Sequence, residues 1–170
     1  MNILCAYTDL SSKTAASLAE HAPETEYVDV SGDRKAYWRE IAKRWKGVED
    51  LVLIEHDIEI HDSVLSQFTA CKSPWCVFPY QLTPDDVPIT WGLGCTKFSA
   101  GVQRKVPLIQ INRAGGPLSD WEYLDSKFAK TMQRYGLAVC VHQPPVSHVR
   151  HIEHPVVHIF AGDAGGSVEK

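Results

Sequence analysis

Apolar and polar residues alternate in blocks along the first half of the chain. Short apolar runs at 3–7, 27–30, 51–54 and 75–80 are separated by stretches whose apolar residues recur every three or four positions. Runs of the first kind predict buried strands, and the second spacing predicts amphipathic helices. The resulting order of alternating strands and helices predicts an α/β fold, with a mostly parallel central sheet and helices on both faces.

The second half of the chain predicts two loops, a long helix and a last strand. Residues 81–92 contain two prolines and two aspartates, which indicates a long loop, and such loops in compact domains are usually functional or mobile. Ser119 and Glu122 form a capping box that predicts a helix over 119–135. An apolar run at 137–141 predicts the last strand.

Length and charge narrow the class of protein. A chain of 170 residues favours one domain, which we place at 1–160, followed by a flexible tail at 161–170. The net charge of −4 argues against a nucleic-acid-binding surface. No apolar run is long enough for a membrane span, and the first residues lack a basic leader, so we expect a cytoplasmic protein. The five cysteines include no C-x-x-C pair and are expected to be buried, reduced thiols.

An acidic segment follows the third predicted strand. Residues Glu55, His56 and Asp57 come directly after the apolar run 51–54. If the strand continues, alternation places Glu55 and Asp57 on one side and His56 on the other. Carboxylates suit magnesium or manganese, and ligands gather at the carboxyl ends of parallel strands. The alternative is a strand that simply ends at the surface.

Three further positions are candidates for chemistry. Asp125 borders the apolar stripe of the predicted helix, where it is either a general base or a solvated helix residue. His148 or His142, which follow the last predicted strand, are the histidines best placed near other strand ends. Trp91 lies in a Pro/Gly loop, where its ring either stacks on a sugar or base or packs in the ordinary way.

The order of these segments resembles that of GT-A-type glycosyltransferases, especially the inverting family 2 group. The stretch "LVLIEHDIEI" stands where that family has an apolar strand ending in Asp-any-Asp, with Glu55 in place of the first Asp. "GLGCTKFS" (92–99) resembles the family's glycine-containing segment near the sugar. Asp125, placed before Gly136, resembles the catalytic base, and "PPVSH" resembles the closing segment whose His completes the metal shell.

The resemblance implies a set of roles within a Rossmann-like GT-A sandwich. Asp57, Glu55 and His148 would bind Mn²⁺ or Mg²⁺, and Asp125 would be the catalytic base. The donor would be a nucleotide-diphosphate sugar, with a UDP-sugar expected first. Its implied contacts are Tyr7, Asp29, Asp33, Glu55, His56, Trp91 and Gly94.

The sequence therefore predicts a metal-dependent glycosyltransferase that transfers a sugar to an unidentified hydroxyl acceptor. The loop 81–92 would close over the donor and exclude water. Three alternatives remain open at this point. The first is a catalytically degenerate module that binds a nucleotide sugar, and the second is a metal-dependent hydrolase or nucleotidyltransferase. The third is a structural protein that binds neither metal nor nucleotide.

Overall fold

The computed structural model describes residues 1–113 and 123–149, and this part of the chain forms eight strands and six helices. The strands are β1 (Asn2–Tyr7), β2 (Glu26–Asp29), β3 (Leu51–Ile54), β4 (Ile58–Glu59), β5 (Trp75–Val77), β6 (Cys95–Phe98), β7 (Cys140–Val141) and β8 (Ser147–His148). The helices are α1 (Ser12–His21), α2 (Ala36–Arg44), α3 (Val64–Ala70), α4 (Ala100–Lys105), α5 (Leu108–Asn112) and α6 (Leu124–Arg134).

Six strands form one central sheet in the order β2-β1-β3-β6-β5-β7. Neighbouring strands are parallel except at β6, which runs antiparallel to both β3 and β5. β5 and β6 are joined by a loop with no crossover helix, and a connection of that kind joins antiparallel neighbours. The prediction of a mostly parallel sheet in an α/β fold is confirmed.

Side chains of the central strands alternate between two apolar clusters, one on each face of the sheet. On one face the strands pack against α2 and α6, through residues that include Leu53, Phe98, Ile41 and Phe128. On the other face they pack against α1 and α3, through residues that include Ile54, Leu18 and Phe68. Helices therefore cover both faces, as the sequence predicted.

The segment after β3 differs from its prediction. The strand ends at Ile54, and the N–H of Ile58 donates to the Glu55 carbonyl at 3.1 Å, which closes a turn. The chain then enters β4, which pairs with β8 in a separate two-stranded sheet. The predicted strand-like alternation over Glu55, His56 and Asp57 is therefore wrong, because a turn does not have a two-residue side-chain period.

Several predictions fall on or near residues outside the described ranges. The capping box of Ser119 and Glu122 lies there, as do the end of the predicted domain and the tail at 161–170. Within the described residues, α6 starts at Leu124, and Gly136 follows it with a left-handed φ of 68°, as expected of a residue that ends a helix. No helix in these residues has the length and apolarity needed to cross a membrane. The cytoplasmic location stays a prediction.

Candidate functional site

The carboxyl ends of β1, β2 and β3 open into a cavity of about 210 Å³. Polar groups on its wall come from the turn after β3 and from the segment between β2 and α2. They include Asp33, Arg34, Glu55, His56 and Asp57. Because parallel strands bring their carboxyl ends to one edge of the sheet, residues distant in sequence meet there.

The turn after β3 brings Glu55, His56 and Asp57 to the same cavity. An extended strand would have turned His56 to the other side, so the expected separation of His56 from the two carboxylates is wrong. The turn is held by the bond between Ile58 and Glu55 and by the His56 carbonyl, which accepts from the N–H of Ser11 at 3.1 Å.

His148 reaches this edge through the small second sheet. β8 pairs with β4 so that His148 lies opposite Ile58, and the N–H of Val149 donates to the Asp57 carbonyl at 2.6 Å. The His148 Nε2 lies 3.0 Å from the Asp57 Oδ2, and its ring stacks on Tyr80. The structure thus brings together Asp57 and His148, which the resemblance assigned to one metal.

The electrostatics of Asp57 favour the ionised carboxylate. Burial raises the pKa of Asp57, but the hydrogen bond from His148 and the nearby charges of His56 and His148 outweigh it, and the net pKa is lowered. A carboxylate that is ionised at neutral pH and partly buried suits a cation.

The Asp57–His148 pair fits a small divalent cation. In this structure the Nε2 of His148 donates a hydrogen bond to Asp57 at 3.0 Å, and a divalent ion bound at the pair would replace that proton. The two atoms already lie at about the 3.0 Å that separates neighbouring ligands of an octahedral ion with bonds of about 2.1 Å. The Nδ1 of His148 is buried and has no hydrogen-bond partner within residues 1–113 and 123–149. Among the same residues, Glu55 does not join the pair in a set of three ligand atoms within 4.8 Å of one another. Two protein ligands are the number with which Mg²⁺ is often bound when substrate phosphates supply others.

Asp125 lies near enough to Glu55 for its charge to raise the pKa of that carboxyl. It sits in the first turn of α6, and its Oδ1 accepts from the N–H of Leu93 at 3.2 Å. Burial raises the pKa of Asp125 to about 6, against the opposing effect of the Leu93 N–H. Burial also raises the pKa of Glu55 well above its usual range, and the charges of Asp125 and Asp57 raise it further. At neutral pH, Asp125 is therefore mostly ionised and able to accept a proton, while the surroundings of Glu55 favour its protonated form.

Two buried tyrosines lie near Glu55 and Asp125, and the sequence pattern did not identify them as site residues. Burial raises the pKa of both Tyr37 and Tyr80, and the charges of Glu55 and Asp125 raise it further. Tyr37 belongs to the apolar stripe of α2, which the spacing of the sequence indicated only as core. Tyr80 ends the apolar run at 75–80, and a polar hydroxyl at the end of a predicted strand could have marked it as a site residue.

Gly94 is in contact with both Glu55 and Tyr80. Its carbonyl accepts from the N–H of Glu55 at 2.8 Å, and a Cβ at this position would lie 2.6 Å from the Tyr80 ring. The absence of a side chain at Gly94 therefore allows the ring to pack against the strand that holds Glu55. The structure places Gly94 beside the acidic group, and its contact with a sugar stays a prediction.

Besides Gly94, three predicted donor contacts are not on the cavity wall. Tyr7 ends β1, where alternation turns it away from its cavity-lining neighbour Ala6. Asp29 is exposed, and its carboxylate accepts from the N–H and hydroxyl of Ser31 at 2.9 and 2.6 Å. Trp91 lines a separate cavity of about 560 Å³ beside α6. Asp33 is on the cavity wall and is also paired with Arg39 at 2.7 Å.

Comparison with known proteins shows similarity only at the level of structure. No protein-family model matches the chain, and no curated protein matches it. The crystal structure of A197 from STIV matches with a TM-score of 0.53 and 12% identity, over 84% of this chain and 82% of that chain. A glycosyltransferase involved in the glycosylation of the major capsid of PBCV-1 matches with a TM-score of 0.49 and 13% identity, over 86% of this chain and 92% of that chain. The first likeness shows that this chain and A197 share a fold.

Proposed function

We propose that this protein is a GT-A-like, metal-dependent glycosyltransferase that uses a nucleotide-diphosphate sugar, with UDP-sugars as the first donors to test. One observation carries the proposal. At the carboxyl end of β3, Asp57 contacts His148 at 3.0 Å on the wall of a cavity, and the ionised Asp125 lies close to Glu55 nearby. A cation site and a general base at one edge of the sheet are the two groups that such a transfer needs.

Asp57 and His148 would hold Mn²⁺ or Mg²⁺. When bound, the ion neutralises charge on the diphosphate leaving group. Asp57 is suited to this role because it is ionised at neutral pH, and His148 because pairing of β8 with β4 fixes its position. The imidazole ring of His148 also stacks on Tyr80, which restricts its rotation.

Asp125 would accept the proton of the acceptor hydroxyl as that oxygen attacks the anomeric carbon. Its raised pKa of about 6 makes it a stronger base than an ordinary aspartate while it stays mostly ionised at neutral pH. Glu55 supports this role because burial and the charges of Asp125 and Asp57 favour its protonated form, which adds no second negative charge beside the base. Tyr37 and Tyr80 are buried near Glu55 and Asp125 and would limit the access of water to them.

The donor would extend past the Asp57–His148 pair. The cavity of about 210 Å³ is small beside the ~300–1,000 Å³ typical of sites for drug-sized ligands, so it fits only part of a nucleotide sugar. A further cavity of about 360 Å³ is lined by His148 and by residues of the loop 81–92, including Leu82 and Pro84. Asp57 lines the 210 Å³ cavity and His148 lines the 360 Å³ cavity, so a diphosphate held at this pair would bridge these two cavities.

The test is titration calorimetry of the full chain with UDP-sugars, in the presence and absence of Mn²⁺. We expect Mn²⁺-dependent binding that Asp57→Asn weakens by about tenfold or more, because the substitution removes a charged ligand. The matched control is Asp62→Asn, which removes an exposed carboxylate outside the cavity and should leave binding unchanged. Absence of binding by the unmodified protein to every nucleotide sugar supplied, or equal binding by both variants, would refute the proposal.

The Asp125→Asn variant separates an active transferase from a degenerate binding module. We expect this variant to bind donor with unchanged affinity while donor turnover falls by about 100-fold or more, because the general base is lost. Donor turnover by the unmodified protein is measured as release of the nucleoside diphosphate. Donor binding with no turnover by the unmodified protein, across a panel of hydroxyl acceptors, would favour the degenerate module.

A further inference from the structure

A second group of side chains that can bind a metal lies at the C-terminal end of α3, outside the cavity lined by Glu55 and Asp57. One ligand atom each from Cys71, Cys140 and His142 lie within 4.8 Å of one another, and all three residues are partly buried. Cys71 caps the C-terminus of α3, Cys140 begins β7, and His142 follows that strand. Tertiary packing alone brings Cys71 to the other two residues, because they are far apart in the sequence.

Two sulfurs and one imidazole nitrogen are ligands that zinc prefers. With Zn–S bonds of about 2.3 Å, neighbouring sulfurs on a tetrahedral ion lie about 3.8 Å apart. Side chains whose ligand atoms already lie within 4.8 Å need only small rotations to reach that spacing. The thiol of Cys76, which is within hydrogen-bonding distance of Cys71, stands beside the set.

The imidazole of His142 is held in place and has a polar atom without a partner. Its ring stacks on Phe78, with centroids 5.0 Å apart, and meets the edge of Phe68 at 5.8 Å. The Nε2 of His142 is buried, and no described residue makes a hydrogen bond to it. A buried nitrogen of this kind costs free energy unless it is bonded, and a metal ion would satisfy it.

A buried cation lies beside the group. The ammonium of Lys97 donates to the carbonyls of Phe68 and Cys71 at 2.6 and 2.7 Å. Two thiolates and a neutral imidazole around Zn²⁺ would give a set with no net charge, which suits a partly buried position.

We propose that Cys71, Cys140 and His142 bind a zinc ion that ties the end of α3 to the edge strand β7. That strand is only two residues long, and the segment after it carries His148 to Asp57. The same segment is already held to the α3 side of the fold by a hydrogen bond from Gln67 to the Gln143 carbonyl at 2.8 Å. The zinc would help to position His148 through the chain that connects them.

The test is titration of the reduced full chain with Co²⁺, which reports bound thiolates by its sulfur-to-cobalt absorption in the near ultraviolet. We expect the sulfur-to-cobalt band to saturate at one Co²⁺ per chain and to disappear when Zn²⁺ displaces that ion. Cys71→Ser, Cys140→Ser and His142→Asn should each weaken binding by more than about 100-fold, because each removes a direct ligand. Cys5→Ser removes a thiol outside the group and should keep the signal. Asp57→Asn should also keep it, which separates this site from the acidic one.

Three results would overturn the proposal. The first is an absence of the sulfur-to-cobalt band in the unmodified protein while its thiols react as free. The second is equal Co²⁺ affinity in Cys71→Ser and Cys5→Ser. The third is a disulfide between Cys71 and Cys140, found by mass spectrometry of protein purified without reductant. His142→Asn keeps both cysteines, so it tests the site even if a cysteine variant fails to fold.

Discussion

The buried carboxylate of Asp125 makes a prediction about stability that does not depend on any ligand. Its pKa is raised from an ordinary 3.8 to about 6, chiefly by burial. A raised carboxyl pKa means that the folded state binds its proton more tightly than the unfolded state does. The contribution of Asp125 to stability is therefore fully present below about pH 3.8 and is lost as pH rises through about 6.

The size of this effect follows from the two pKa values. The difference corresponds to about 3 kcal/mol of stability lost at neutral pH, and about 2 kcal/mol of that loss falls between about pH 4.5 and about pH 7.5. Asp125→Asn removes the ionisable group but keeps an oxygen that can accept from the Leu93 N–H. We therefore expect the variant to gain about 2 kcal/mol over the unmodified protein across that pH interval.

The assay is urea unfolding of both proteins at several pH values, with the free energy of unfolding extrapolated to water. The control is Asp62→Asn, which removes a carboxylate at the exposed surface and should change the free energy of unfolding by less than about 0.5 kcal/mol. If the difference between Asp125→Asn and the unmodified protein is the same at both ends of the pH interval, the reasoning on the buried carboxylate is wrong.

Two further predictions test the packing around the site and the start of α4. Gly94→Ala should lower the free energy of unfolding by about 1–3 kcal/mol in urea unfolding, because the added Cβ would overlap the Tyr80 ring, whereas Gly101→Ala, with its nearest atom 3.6 Å away, should not destabilise. Ser99→Ala should lower the free energy of unfolding by about 1 kcal/mol in thermal unfolding, because the Ser99 hydroxyl accepts from a backbone N–H of α4. Ser11→Ala should cost less, because the Ser11 side chain makes no cap bond. Equal losses in the two glycine variants, or in the two serine variants, would contradict these assignments.

The sequence allowed much of the acidic site to be located but not its geometry. The position of Glu55 and Asp57 at the end of an apolar run was sufficient to place them at the carboxyl edge of a parallel sheet. The turn that brings His56 to the same side depends on a hydrogen bond between Ile58 and Glu55 and on the pairing of β4 with β8. Neither has a local sequence signal, because strand and turn propensities do not specify which distant segment pairs with a short strand.

The group formed by Cys71, Cys140 and His142 could not be predicted from local sequence either. No C-x-x-C or zinc-finger spacing is present, so the spacing of residues gave no reason to join Cys71 to Cys140 and His142. Their meeting depends on the parallel pairing of β5 with β7, which places Cys140 opposite Cys76 and so near the end of α3. A metal site assembled from two distant segments is visible only once that pairing is known.

By itself, the sequence determined the strands β1, β2, β3 and β5, the helices between them and the class of fold, because the alternation of apolar and polar residues acts locally on each strand and helix. It also determined that acids follow β3. Only the tertiary structure decided that β6 runs antiparallel, that Trp91 lies on a different cavity from Glu55, and that Asp125 and His148 reach the same edge of the sheet. These outcomes depend on how separate elements pack, and packing is settled by the burial of the whole core rather than by any one segment.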